Sequence, residues 1–265
     1  MEEIQFANQR LEERVKQRTE DLMIANSELE AFCYSVSHDL RAPLRGIKGF
    51  SQILLEDFGN VVDETGHDYL KRVCNGAQNM SNIIDALLDL SKVTRHTLKK
   101  NKVQLDAIAR ELVNELIELE PERKVKVHIE NNVTAYGDAH LLRIALENLL
   151  NNAWKYTGKT QNASIEFGSY TDKYEKVYYI KDNGVGFDKS RVDKIFDAFQ
   201  RLHNQEFEGS GIGLATVARC IRRHGGKIWA DAEVDKGASF FFTLATIQQR
   251  DVSQNKQLAM DKVSE

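Results

Sequence analysis

At 265 residues and 42% hydrophobic composition, the chain is longer than one average domain and has the material for at least one sizeable core. A net charge of −4 and a pI near 6.0 leave no basic excess, which excludes a dedicated nucleic-acid groove. Cys33, Cys74 and Cys220 lack C-x-x-C spacing, no apolar run nears the roughly 18 residues of a bilayer span, and Met1-Glu2-Glu3 is no signal-peptide start; these predict a reduced, cytoplasmic chain that inserts into no membrane itself.

From the N-terminus, Ile4, Leu11, Val15, Leu22, Ala25, Leu29, Phe32 and Val36 fall on alternating three- and four-residue steps, with Asn8 and Arg18 in the remaining seam positions. Charged faces flank this heptad seam, so residues 1–31 are predicted to form a parallel coiled coil, a signalling stalk. The alternative is a single amphipathic helix lying on a globular core, but a two-position seam buries too little surface for that.

The seam continues as Leu40, Leu44, Ile47, Ser51, Leu54 and Phe58. The step from Val36 to Leu40 follows another four-residue step, a stutter that locally unwinds a supercoil, and it falls at His38. Pro43 lacks a backbone donor and clashes with the carbonyl of Asp39, so a kink has two independent causes here. Ser37-His38-Asp39-Leu40-Arg41-Ala42-Pro43-Leu44 therefore reads as a mechanical joint that carries an imidazole beside an acid. Gly59-Asn60 ends the helix, and Asp63 or Thr65 caps the next, which runs through Leu70, Val73, Ala77, Met80, Ile84, Leu87 and Ser91. A lone hairpin over residues 32–98 cannot bury both stripes, so two copies are predicted to make a four-helix bundle about a two-fold axis.

Lys99-Lys100-Asn101-Lys102 reads as a short charged connector, after which residues 99–247 mix helix and strand. Short strands are predicted at Val103–Leu105, Val125–Ile129 and Thr134–Tyr136, with a helix from Asp106 to Leu119 ended by Pro121. Asp138 caps a helix to Tyr156, Ser164–Tyr170 and Lys176–Ile180 alternate as a hairpin, and Phe240–Leu244 closes the domain. The fold class is thus α plus an α/β sandwich, a mixed sheet with helices on one face. Arg222-Arg223-His224 reads as the basic last turn of a helix before Gly225-Gly226, and residues 248–265 are polar enough to be disordered.

Three stretches in this second part suggest chemistry. On Glu147-Asn148-Leu149-Leu150-Asn151-Asn152-Ala153-Trp154-Lys155-Tyr156-Thr157, four-residue spacing puts Asn148 and Asn152 on one face with Lys155 a turn further on. A solvated outer face is the plain alternative, yet Asn competes for backbone hydrogen bonds and is a costly choice on a helix. Amide oxygens suit a Mg²⁺ that bridges phosphates, and Lys155 suits phosphate charge. Asp182-Asn183-Gly184-Val185-Gly186-Phe187 reads first as a turn. More sharply, the Asp182 carboxylate accepts a hydrogen bond from the exocyclic amine of adenine, where guanine offers a carbonyl oxygen instead, which selects ATP over GTP; Gly184 and Gly186 permit close backbone approach. Gly209-Ser210-Gly211-Ile212-Gly213-Leu214 opens a helix to His224 with free amides that suit a triphosphate, though its spacing fits neither a dinucleotide fingerprint nor a Walker loop. The segment before it, Gln200 to Glu208, has few apolar residues and reads as a mobile lid with Arg201 and His203 available to phosphate.

In order, SHDLRAPL, NLLNNAWKYT, DNGVGF, IFDAFQRLH, GSGIGLA and GAS resemble the H, N, G1, F, G2 and G3 boxes of bacterial sensor histidine kinases, and they span nearly everything from Phe32 to Leu244. The resemblance implies a dimeric helical hairpin joined to a Bergerat-type ATP-binding domain of the kind shared with gyrase, MutL and heat-shock chaperones. It implies His38 as the phosphorylated residue, Asp39 as its general base, and Asn152 with Asn148 as the Mg²⁺ ligands. Lys155 and Tyr156 border the nucleotide, Asp182 reads adenine, Phe196 and Phe199 anchor the lid, and Gly209, Gly211 and Gly213 form its far hinge. The partner it implies is a response regulator receiver domain, which takes the phosphoryl group on an aspartate. LEERVKQRTEDL leading into SVSHDLRAPL resembles kinases that follow PAS or phytochrome-like sensors, so an upstream sensor domain or a partner supplies the signal. One position departs: relatives that dephosphorylate their partner efficiently usually carry Thr or Asn four residues after the histidine, and here Ala42 stands there, so weak phosphatase activity is expected. Two rivals are an ATP-driven conformational clamp that hydrolyses nucleotide without labelling itself, and a coiled-coil scaffold with a degenerate nucleotide site.

Overall fold

The computed structural model describes residues 2–59, 61–173, 175–200 and 210–245. The chain divides into two compact units, Met1–Ser91 and Lys92–Glu265.

The first unit is two helices, α1 (Glu2–Phe58) and most of α2 (Glu64–Arg95). Helix α1 runs unbroken through Pro43, because one missing donor removes a single ladder bond in a helix long enough to continue on either side. It stops at Phe58, where the amides of Val61 and Val62 turn back onto the Phe58 carbonyl. Asp63 Oδ1 then accepts from Gly66 N at 2.8 Å and starts α2. Leu44, Ala77, Ile84 and Leu88 form a small buried cluster, braced by an Arg41–Asp85 ion pair at 2.8 Å and by Lys48 donating to Gln78. Much of the remaining heptad seam is open to solvent: Leu40, Ile47, Leu54 and Phe58 on α1 and Val73 and Met80 on α2 are between 41% and 52% exposed, while Ser51 is buried.

The second unit opens with the last turn of α2, where Val93 is buried in the core. Strand β1 (Lys100–Gln104) pairs antiparallel with β3 (Thr134–Asp138), so most of the charged run read as a connector is strand, with Asn101 and Lys102 exposed and Val103 buried in the core. Between them lie α3 (Leu105–Leu119) and β2 (Lys126–Ile129); then come α4 (Ala139–Tyr156), β4 (Ser164–Asp172), β5 (Glu175–Asp182), a 3₁₀ turn (Lys189–Lys194), α5 (Gly213–Arg223), β6 (Ile228–Glu233) and β7 (Gly237–Thr243). The main sheet has the order β2-β4-β5-β7-β6, antiparallel except for the β2–β4 pair. Phe167, Ile180, Phe240 and Phe242 point from one sheet face into a core shared with the helices, which is the mixed sandwich the alternation predicts. Strand β6 and the 3₁₀ turn are additions to the elements read from sequence.

Helix α4 shows why the site sits where it does. Leu141, Leu142, Ala145, Leu146, Leu149, Leu150, Ala153 and Trp154 are buried at helical spacing, so the rest of the helix is left to face outward. Asp138 caps its start, with Oδ1 accepting from His140 N and Leu141 N, both at 3.1 Å. At its far end the Arg123 guanidinium lies 4.7 Å from the centre of the Trp154 ring and donates to the Trp154 carbonyl and to Thr157 Oγ1. Both ends of the helix are thereby fixed. Among the described residues no helix is long and apolar enough to cross a membrane.

Candidate functional site

His38 and Asp39 lie on α1, in the first unit. The His38 side chain is outside the described residues; Asp39, Ala42 and Pro43 are exposed. Ser37 is buried beside them, and its Oγ has no hydrogen-bond partner among the described residues.

In the second unit three stretches far apart in sequence meet at the C-terminal half of α4. Asn148, Asn152, Lys155 and Tyr156 are half-buried there. The Gly184 loop docks on the end of the helix: Val185 N donates to the Tyr156 carbonyl at 3.2 Å, and a Cβ at Gly184 would stand 2.4 Å from that same oxygen. Only glycine fits. The start of α5 comes to the other side, where a Cβ at Gly213 would stand 2.7 Å from Asn148 Oδ1. Asn148 Nδ2 donates to the Ile144 carbonyl at 2.8 Å, so its oxygen is turned toward α5. Lys155 Nζ sits 4.2 Å from the centre of the Tyr156 ring, which holds the ammonium near the helix end.

Asp182 forms the floor. It ends β5, lies between Ile165 of β4 and Ala238 of β7, and is buried. Its carboxylate accepts from Gly184 N at 2.8 Å and from the Ala238 amide. Burial pushes the carboxyl up from 3.8 to about 6, against the pull of those two amides. A buried carboxylate with acceptor capacity left is suited to a ligand N–H donor. The loop around it is tied down by Asn183, whose Oδ1 accepts from Ser164 N and whose Nδ2 donates to the Asn162 carbonyl. Gly186 (φ +58°) and Gly237 (φ +95°) take left-handed backbone, and a Cβ at either would stand 2.0 Å from a backbone oxygen.

The segment read as a lid is described only at its edges. Phe196 packs on the core, Phe199 is exposed with a φ of +65°, and Gly211 (φ +70°) rests against Phe199 and Gln200. Arg201, His203 and Gly209 lie outside the described residues. The structure thus sets Gly184, bonded to Asp182, against Tyr156 and Gly213 against Asn148, both along the C-terminal half of α4 that also carries Asn152 and Lys155. Two contributors escaped the sequence: the Ala238 amide, which only strand pairing could reveal, and Asn183, which reads as an ordinary turn residue. Among the described residues no group of three or more His, Cys, Asp and Glu could hold a metal ion.

Known proteins resemble this chain over most of its length. Residues 28–96 match the His Kinase A (phospho-acceptor) domain, and residues 137–248 match the Histidine kinase-, DNA gyrase B-, and HSP90-like ATPase family. Cyanobacterial phytochrome B of a Nostoc species is 34% identical over 86% of the chain, and the methanogenesis regulatory histidine kinase FilI of Methanothrix harundinacea is 33% identical over 88%. The chain spans 31% and 26% of those two proteins' own lengths. Among solved structures, full-length ShkA in complex with AMPPNP aligns over 81% of this chain and 45% of its own, with a TM-score of 0.58 at 20% identity. Histidine kinase AdeS of Acinetobacter baumannii aligns over 79% of this chain and 98% of its own, with a TM-score of 0.54 at 19% identity. These two likenesses establish the fold.

Proposed function

The chain belongs to the histidine kinases, joining a phospho-acceptor domain to an ATPase domain of the gyrase B and HSP90 kind, and from this premise we propose that it phosphorylates its own His38 with ATP and passes the phosphoryl group to an aspartate of a response regulator receiver domain. The observation that carries the proposal is the convergence of Gly184 with Asp182 on Tyr156, and of Gly213 on Asn148, along one half of α4, on a chain that also bears the phospho-acceptor helix.

In this reading Asp182 accepts the adenine amine, Gly184 and Gly186 let the base approach the backbone, and Tyr156 borders the nucleotide. Lys155 and Arg201 draw on phosphate charge, and Gly209, Gly211 and Gly213 hinge the lid. The amide oxygens of Asn148 and Asn152 are the donors that fit Mg²⁺, since Asn148 Oδ1 faces the α5 start at which a triphosphate would be met and no acidic cluster competes among the described residues. That ion supplies charge neutralisation on the phosphates when bound. The neutral His38 imidazole attacks the γ-phosphorus; the N–P bond forms as the bond to the bridging oxygen breaks, ADP leaves, and the ring proton passes to Asp39. Neighbouring helix positions point about 100° apart, so Asp39 reaches around the helix to meet the ring. Positioning supplies most of the acceleration.

The half-exposed seam of Leu40, Ile47, Leu54, Phe58, Val73 and Met80 is closed in this reading by a second copy, as a two-fold four-helix bundle. An upstream sensor domain or a partner supplies the signal through the stalk, and the cytoplasm supplies ATP. Ala42 leaves the site poor at clearing a receiver's phosphate.

Incubation with γ-labelled ATP tests the reading. An acid-labile, alkali-stable label should appear on the chain and vanish in His38→Gln. Free phosphate without label would mean a nucleotide-driven clamp, and neither product would mean a scaffold.

A further inference from the structure

Asp138 does more than start α4. Its Oδ1 caps the helix, while Oδ2 accepts from His96 Nε2 at 2.9 Å and from Lys99 N at 2.8 Å. Both donors belong to the segment that leaves α2 and enters β1. The Asp138 amide in turn donates to Nε2 of His224 at 2.9 Å. His224 therefore holds its proton on Nδ1, which donates to the Cys220 carbonyl at 2.7 Å. His224 is the C-cap of α5, and its own carbonyl accepts from Lys100 Nζ at 3.4 Å.

A second grip comes from α5 itself. Arg219 Nη1 donates to Thr94 Oγ1 at 3.0 Å, and the Arg223 guanidinium donates to the Val93 carbonyl, one of the last-turn carbonyls of α2 that lacks a helical partner. All of these residues belong to the second unit. The segment from Val93 to Lys100 is thus held by α4 and α5 together. These are the same two helices whose opposite portions carry the nucleotide residues: Asn148 to Tyr156 on α4 and Gly213 at the start of α5. Helices of 18 and 11 residues behave as rods of about 27 and 16 Å, so a shift at one end is felt at the other.

We propose that Asp138, Arg219 and Arg223 are positioning residues that clamp the segment from Val93 to Lys100, and that nucleotide bound between α4 and α5 tightens this clamp. The tether leading to the phospho-acceptor helix is thereby fixed when ATP is loaded. The inference rests on the autokinase reading for its consequence, not for its contacts. None of the three is among the residues assigned to the nucleotide.

The test uses the full chain and the double variant Thr94→Val/His96→Ala, which removes two partners of the clamp and leaves the nucleotide residues intact. Thr94 and His96 are partly exposed, and a thermal melt verifies that the variant folds. Amide exchange at Lys99 is followed by NMR with and without a non-hydrolysable ATP analogue. In the unmutated chain the analogue should slow exchange at Lys99 about fivefold or more; in the double variant basal exchange should be about tenfold faster and the analogue should no longer slow it. Self-labelling at saturating ATP should fall about tenfold with KM for ATP within twofold, and His96→Gln, which keeps a donor at similar reach, should restore most of the rate. Exchange at Lys99 that ignores the variant, or that the analogue slows equally in it, would overturn the clamp. If the unmutated chain fails to label itself, the kinase reading falls, while the exchange measurement still decides the clamp.

Discussion

The two units handle their apolar residues in opposite ways. In the second, a single copy of the chain buries what it has: Leu105, Leu141, Phe167, Ile180 and Ile221 are essentially sealed from water. In the first, among the described residues, a single copy gathers Leu44, Ala77, Ile84 and Leu88 into a small cluster, buries Cys74, and leaves a seam of large side chains about half exposed. A sandwich of sheet and helices encloses a core by itself, whereas two long helices present stripes that only further helices can cover. The second unit can accordingly hold a site rigid by itself, whereas the first, in the proposed reading, is completed by a second copy.

The largest effect should come from charging the seam. Ile47→Asp with Leu54→Asp would set four carboxylates into the interface of two copies, at about 2 kcal/mol or more apiece, so the dissociation constant should rise by about 10⁵-fold or more. Sedimentation would show monomers that still bind nucleotide; a dimer surviving at micromolar concentration would break the contrast. Next is Phe167→Ala, which opens a cavity in the core of the ATPase unit and should cost about 3–5 kcal/mol there. Two-transition melting checks it: the ATPase transition should fall while the helical transition stays in place and remains the one that depends on protein concentration.

A third experiment sharpens the contrast inside the ATPase unit. Asp182 is raised to about 6 by burial, so its contribution to stability is greatest below 3.8 and is lost as pH rises toward 6. Asp138 is buried too, which alone would raise it, but the amide of Lys99 and then His96 bring it down to about 2. Its contribution is present above 3.8 and is lost as pH falls toward 2. One carboxylate is built to await a donor, and the other already has its donors. In the proposed reading Asp182 accepts the adenine amine as a carboxylate, so ATP affinity should fall about tenfold per pH unit below 6 and level off above it, and Asp182→Asn should abolish that slope. A titration that is flat from pH 5 to 7 in the unmutated chain would remove Asp182 from adenine recognition.

The same contrast explains what could be read in advance. The helical run of α1 and the cap at Asp138 follow from local patterns, and both the helix and the cap are present in the structure. Strand β6 was hidden because Ala230 and Ala232 face the core while Trp229 stacks on Phe241 at the outer face, reversing the usual large-inside alternation. Lys99 to Lys102 read as a linker because their charges say nothing of the backbone pairing with β3. The three nucleotide stretches could be named separately, but the fit of Gly213 against Asn148 exists only once α4 and α5 pack. The bond from His96 to Asp138 joins residues 42 positions apart and leaves no trace in either neighbourhood.

The smallest expected effect lies on the first unit, one helical turn after His38. Ala42 is exposed there and offers only a methyl group, which cannot hold a water in line for attack on a receiver's acyl phosphate. A threonine adds one hydroxyl at a β-branched position, whose helix cost is a few tenths of a kcal/mol, so the bundle should tolerate it. Ala42→Thr should therefore speed loss of phosphate from a phosphorylated receiver several-fold, with self-labelling of His38 changed by less than about twofold, since a positioned water is worth a hydrogen bond of about 1 kcal/mol. Rapid dephosphorylation by the unmutated chain would show that the water is held from elsewhere, for which the buried hydroxyl of Ser37, unpartnered among the described residues, is the group to test next.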